Sequence, residues 1–128
     1  MRILLATAVA IAPLMAATGA MAEVVITTAR TTPITTSNAT GTGPDDIRLS
    51  GAGSIALTSG TAVTVDSNHD FTMEGTSSIT MSPAADGATA VLVNAGVTSD
   101  VTIGASINIV DTIATYPDTD NDGDIDGP

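Results

Sequence analysis

The most recognisable site chemistry in this sequence lies near its C-terminal end, in a run of alternating aspartates: Asp118, Asp120, Asp122, Asp124 and Asp126. The first three match positions one, three and five of an EF-hand-like calcium loop, and Gly123 falls at the sharp turn of that loop. Carboxylate and carbonyl oxygens at this spacing can converge on one Ca²⁺. The pattern predicts a calcium loop of weak affinity, with a dissociation constant on the order of millimolar.

An alternative interpretation of the aspartate run stays open. The bidentate Glu that closes an EF-hand loop would fall one position after Pro128, and residues 112 to 117 before the run contain β-branched residues and end in proline rather than forming a helical pattern. The same residues would also serve as a solvated acidic connector between repeats. Calcium binding and a plain connector are therefore both consistent with the sequence.

Three further aspartates, Asp46, Asp70 and Asp100, recur at the same place in a repeated unit. A row of carboxylates would resemble the acidic groove of β-helical polysaccharide enzymes, but paired catalytic carboxylates need two different environments to separate their pKa values. A residue required at the start of every strand is more simply an Asx turn or a cap. His69 is interpreted as an exposed turn residue. We predict no catalytic residue and no enzymatic activity.

These residues must be positioned by an internal repeat. The unit reads Asp, apolar, any residue, apolar, then a turn with small residues, then Ser-Ile, any residue, apolar, and it occurs at residues 46–57, 70–81 and 100–109. Between the copies, residues 61–65 recur at 89–93, and the four extra residues of the second interval fall within 82–88, a run of turn formers. A period of about two to three dozen residues that absorbs insertions at turns is typical of a solenoid.

Within residues 46–110 the apolar positions alternate with a period of two, which indicates short strands with two inward side chains each. Three such pairs per repeat predict an all-β fold, a right-handed parallel β-helix (β-solenoid) of about three coils. The register predicts two inward columns, one formed by Ile47, Phe71 and Val101 and the other by Ile55, Ile79 and Ile107.

Composition limits the possible partners. The chain has a formal net charge of −11 with three basic residues, so it repels nucleic acid and anionic lipid surfaces. It contains no cysteine, and no disulfide framework holds the fold together.

Residues 1–22 have the pattern of a signal-peptide helix. Arg2 supplies the positive start, an apolar stretch follows, and Ala20 and Ala22 place small residues before a cleavage site. We therefore expect export through the Sec pathway and no membrane span after cleavage, with the mature chain at the cell surface or outer membrane or released outside the cell.

The sequence divides into four segments: signal peptide 1–22, N-terminal cap and lead-in 23–45, β-helix coils 46–110, and acidic connector 111–128. Ordering the coils costs more conformational free energy than their inward side chains gain on burial. The lower edge after Val110 also has no recognisable cap. We expect the coils to be a fragment of a longer solenoid.

The chain resembles the start of an autotransporter of alphaproteobacterial type. The resemblance rests on Pro44-Asp-Asp-Ile47, the stretches 59–68 and 89–93, and the closing residues 118–128. It implies a β-helical, pectin-lyase-like passenger carried to the surface by a C-terminal outer-membrane barrel, with roles in adhesion, aggregation or biofilm. Its partners would be the downstream coils and barrel of its own parent chain, and surface or host glycans or proteins. The sequence departs from the family in lacking the barrel's alternating strands of about ten residues.

Three functions are consistent with these features. The first is a structural passenger of a cell-surface protein, the second a calcium-binding secreted repeat protein, and the third a polysaccharide-active β-helix enzyme. Further Gly-Asp nonapeptides would favour the second, and a coil with clustered Arg, Lys and Asp would favour the third.

Overall fold

The computed structural model describes residues 23–111 and 119–123. The predicted signal peptide, residues 1–22, lies outside them. The described part is all-β apart from one short 3-10 helix, Thr36–Asn38. Its strands are β1 (Val24–Ile26), β2 (Ala29–Arg30), β3 (Ile34–Thr35), β4 (Ile47–Leu49), β5 (Ser54–Leu57), β6 (Thr61–Val65), β7 (Phe71–Met73), β8 (Ser78–Ala84), β9 (Thr89–Val93), β10 (Val101–Ile103) and β11 (Ser106–Asp111).

The strands form three parallel sheets, and each coil of the chain contributes one strand to each sheet. The first sheet has the order β1-β4-β7-β10, the second β2-β5-β8-β11, and the third β3-β6-β9. Three complete coils are followed by β10 and β11, which begin a fourth. The predicted fold class, a parallel β-solenoid of about three coils, is confirmed.

The predicted register is also confirmed. Phe71 lies opposite Ile47 on one side and Val101 on the other, and Ile79 lies between Ile55 and Ile107 in the same way. Because side chains alternate across a strand, this register stacks like residues in inward columns. The inward side chains of β4 to β8, in these two columns and in the neighbouring ones, are almost fully buried and form the core: Ile47, Leu49, Ile55, Val63, Val65, Phe71, Met73, Ile79 and Met81.

Residues 23–45, predicted as a cap and lead-in, supply the first strand of every sheet. Val24 to Ile26 pair with β4, Ala29 and Arg30 pair with β5, and Ile34 and Thr35 pair with β6. Glu23-Val24-Val25-Ile26 repeats the acidic-apolar-any-apolar pattern with Glu in place of Asp. The segment is therefore the first coil as well as the N-terminal edge.

The turn in the third coil is shorter than the run of turn-forming residues in its sequence indicates. Residues 82–88 contain turn formers, yet β8 continues through Ala84, which is buried and lies opposite Asp111 of β11. The actual turn is confined to residues 85–88, where the Ala88 amide donates to the Ala85 carbonyl at 3.0 Å. No helix within residues 23–111 and 119–123 is long and apolar enough to cross a membrane.

Candidate functional site

The predicted calcium ligands fall partly within the described residues. Asp120 and Asp122 are described, whereas Asp118, Asp124 and Asp126 lie outside the described residues. The backbone N–H of Asp122 donates to Oδ1 of Asp120 at 3.3 Å, and Asn121 and Gly123 both have positive φ, 58° and 97°. The chain therefore turns tightly between alternating carboxylates, as an oxygen-ligand loop requires. Residues 23–111 and 119–123 contain no group of three or more potential metal ligands. The calcium loop stays a prediction.

The repeated aspartates form a ladder from coil to coil. Oδ1 of Asp46 accepts the backbone N–H of Asp70 at 2.9 Å, and Oδ1 of Asp70 accepts that of Asp100 at 2.8 Å. In return, the carbonyls of Asp70 and Asp100 accept the amides of Ile47 and Phe71. The carboxylates therefore bind the next coil rather than closing a local turn as predicted. Hydrogen bonds of this charge-assisted kind are stronger than neutral ones.

His69 is less exposed than its position in a turn predicts. Its side chain is 17% exposed, and Nδ1 lies 3.1 Å from Oδ1 of Asp46. In the next coil the equivalent residue is Ser99, whose hydroxyl is buried and has no partner among the described residues. Within residues 23–111 and 119–123, no hydrogen bond from Ser99 extends the His69–Asp46 pair to the arrangement of a catalytic triad.

A second link between coils joins the first coil to the end of β6. Asp66 accepts the backbone N–H of Ser37 at 2.8 Å and its hydroxyl at 2.7 Å, and a longer bond from the Thr36 hydroxyl. The buried Thr36 hydroxyl oxygen also accepts the backbone N–H groups of Asp66 and Ser67. These hydrogen bonds hold the pKa of Asp66 below its ordinary value, and the bond from the Ser37 hydroxyl has the largest effect. Partial burial of the carboxylate acts in the opposite direction.

The C-terminal edge of the β-helix is open and apolar. We call this surface the open edge and define it by five inward positions that have no neighbouring strand below them within residues 23–111 and 119–123: Val93, Val101, Ile103, Ile107 and Ile109. These side chains are between 37% and 50% exposed, whereas their partners one coil above are 0% exposed. At the N-terminal end, by contrast, Ile26 and Ile34 are 5% exposed. Contiguous exposed apolar side chains of this kind are typical of a surface that packs against another element.

No protein-family model matches this chain, and no curated protein or solved structure matches it either.

Proposed function

We propose that this chain is the N-terminal part of a structural β-helical passenger in an exported cell-surface protein of the autotransporter type, with a role in adhesion, aggregation or biofilm. The observation that carries the proposal is the open edge. Its inward columns are continuous with the core of the coils above and are the surface that another coil would cover.

The energetics favour a further coil at this place. Burying an aliphatic side chain completely is worth roughly 1.5–3 kcal/mol, so the five half-exposed side chains of the open edge retain roughly 1 kcal/mol each to be gained. The carboxylate of Asp100 also favours a following coil. Asp46 and Asp70 each accept a backbone amide from the coil that follows them, whereas no described residue donates to the Asp100 carboxylate. A following coil would extend both the apolar columns and the aspartate ladder.

The use of the repeated aspartates supports a structural role over an enzymatic one. Asp46 and Asp70 accept backbone amides, and Asp46 also contacts His69. The carboxylates that a polysaccharide-active enzyme would need as acid and base are thus engaged in joining coils. Proposed partners are the downstream coils and barrel of the parent protein, and glycans or proteins at the cell or host surface. Ca²⁺, held weakly by Asp118 to Asp126, is the proposed cofactor.

The proposal is tested in the cells that express this chain. An antibody raised against residues 46–110 would report the length of the polypeptide that carries the coils, and protease added to intact cells would report its location. We expect a polypeptide longer than 128 residues, digested from outside, and reduced cell aggregation in a deletion strain. Protection from protease in intact cells, together with unchanged aggregation, would refute the proposal.

A further inference from the structure

At the N-terminal end of the β-helix a basic residue occupies a core position. Arg30 of β2 lies opposite Ile55 of β5, and the same column continues with Ile79 and Ile107. Arg30 is half-buried, so its aliphatic stem covers the end of the isoleucine column while its guanidinium reaches the surface of the first coil.

The guanidinium of Arg30 is poorly satisfied. Its Nη2 donates to the Thr32 hydroxyl at 3.3 Å and to the Pro33 carbonyl at 3.4 Å, both long bonds to neutral acceptors. Its Nε is buried and has no acceptor among the described residues. A buried donor without a partner costs free energy, and the cost is larger on a charged group. The Nη2 group of Arg30, which donates only to these neutral acceptors, therefore lacks a charged one.

The other arginine in the described residues, Arg48, also has a buried Nε without a partner there, but it differs from Arg30 in its ion pairs. Nη2 of Arg48 lies 2.7 Å from the Glu23 carboxylate, and Nη1 lies 3.2 Å from that of Glu74. No described carboxylate forms such an ion pair with Arg30, although the chain carries a net charge of −11. The lack of a counter-charge is local to Arg30.

Arg30 lines a cavity of about 430 Å³ between the β2–β3 turn and the loop that follows the 3-10 helix. The other lining residues are Pro33, Ile34, Thr35, Asn38, Ala39, Thr40 and Gly41. The volume lies within the range of small-molecule sites, about 300–1,000 Å³. The wall combines an apolar floor with hydroxyl and amide groups, so one charged anchor is surrounded by groups that can bind neutral hydroxyls.

We propose that this cavity binds a small hydroxylated carboxylic acid. A carboxylate can accept two parallel N–H bonds from a guanidinium, which would add the missing counter-charge. Asn38 and Thr40 would bind the ligand's hydroxyl groups. Because the net charge of the chain opposes anions, a singly charged ligand held by local geometry fits better than a polyanion. The site does not depend on the proposed passenger function.

Three probes separate the features of such a ligand: gluconate, sorbitol and hexanoate. Gluconate has both the carboxylate and the hydroxyls, sorbitol lacks the charge, and hexanoate lacks the hydroxyls. Titration into the ¹⁵N-labelled chain is expected to give saturable amide shifts for residues 30–41 with gluconate, at least tenfold weaker binding with hexanoate, and none with sorbitol. Equal binding of gluconate and sorbitol, or of gluconate and hexanoate, would overturn the proposal.

Variants of the two arginines assign the binding. Arg30→Gln and Arg30→Lys are both expected to weaken gluconate binding at least tenfold, the first by removing the charge and the second by removing the bidentate geometry. Arg48→Gln removes the same charge from the neighbouring coil and is expected to leave binding unchanged. Asn38→Ala, which leaves the core untouched, is expected to weaken gluconate more than hexanoate. An equal effect of Arg30→Gln and Arg48→Gln would assign the binding to net charge and refute a site at Arg30.

Discussion

Gly53 lies where the second coil passes closest to the first, and this contact gives a sharp test of the stacking. A Cβ atom placed on Gly53 would overlap the carbonyl oxygen of Ile26 in β1, and it would lie 2.9 Å from the carbonyl carbon of Ile26 and 3.0 Å from the carbonyl oxygen of Ser50. These are backbone atoms, so no side chain can swing aside to relieve the overlap. The Ile26 carbonyl also accepts the Ser50 amide at 3.1 Å. Moving Ile26 away would lengthen that bond.

The expected cost of Gly53→Ala follows from these contacts. Inserting a methyl group into a packed site costs about 1–3 kcal/mol, and losing one backbone hydrogen bond costs about 0.5–1.5 kcal/mol. We expect the free energy of unfolding to fall by about 2–4 kcal/mol, and the melting temperature by about 10–25 °C for a domain of this size. Ser77 occupies the equivalent position one coil later, so the cost arises from the contact with Ile26 and not from the coil geometry as such.

Urea unfolding followed by far-UV circular dichroism measures this cost, and Gly43→Ala is the matched control. A Cβ atom on Gly43 meets no atom within 4 Å, and Gly43 is not among the glycines with positive φ. The control is therefore expected to leave stability unchanged or to raise it by up to about 1 kcal/mol. If Gly53→Ala changes the free energy of unfolding by less than about 0.5 kcal/mol, the close stacking of the first two coils is wrong.

Three other predictions concern carboxylates. Asp66→Asn is expected to lower the free energy of unfolding at neutral pH. Because the pKa of Asp66 is depressed in the folded state, the stability that its carboxylate contributes is present above the unfolded pKa of about 4 and is lost as the pH falls through the folded pKa. The stability difference between the variant and the original chain should therefore vanish in acid, and a difference that is constant with pH would contradict the prediction. Asp70→Ala is expected to lower the free energy of unfolding by about 1–3 kcal/mol because the Asp100 amide loses its acceptor. Asp100→Ala should lower it by less than about 0.5 kcal/mol. Equal losses of stability in the two variants would show that the aspartate ladder is not the cause. Millimolar CaCl₂ is expected to release or absorb heat and raise the melting temperature if residues 118–126 bind Ca²⁺, and no change in either would identify them as a solvated connector.

The inward columns of the middle coils could be predicted from the sequence because two signals agree there. The period of two fixes which side chains point inward, and the repeat fixes which ones stack, so Phe71 can be placed between Ile47 and Val101 without coordinates. A shift of one residue would have turned every apolar side chain outward. Few strand registers satisfy both the period of two and the repeat.

The first coil is harder to predict from the sequence because it lacks the residues that define the repeat in the later coils. Glu23 stands for Asp, and Arg30 stands where later coils have isoleucine, so β2 has no apolar alternation. An edge coil has neighbours on one side only, which is why a long side chain with a polar end is tolerated there. A sequence pattern defined by the buried coils therefore does not match the first coil.

The links between coils were not predictable for a different reason. The bonds from Ser37 to Asp66 span 29 residues, and those of the aspartate ladder span 24 and 30 residues. The sequence shows that an aspartate recurs, but a local Asx turn and a bond to the next coil require the same residue at the same place. Only the register between strands, together with the side-chain direction, separates the two.

The aspartate ladder also gives the stack a direction. In each observed step the carboxylate belongs to the earlier coil and the amide to the later one, from Asp46 to Asp70 and from Asp70 to Asp100. A finished coil thus presents a fixed acceptor and apolar columns to the segment that follows it, while at the opposite end Ile26 and Ile34 are already covered. Each new coil then gains its contacts against a preformed neighbour, which lowers the entropy cost of ordering it.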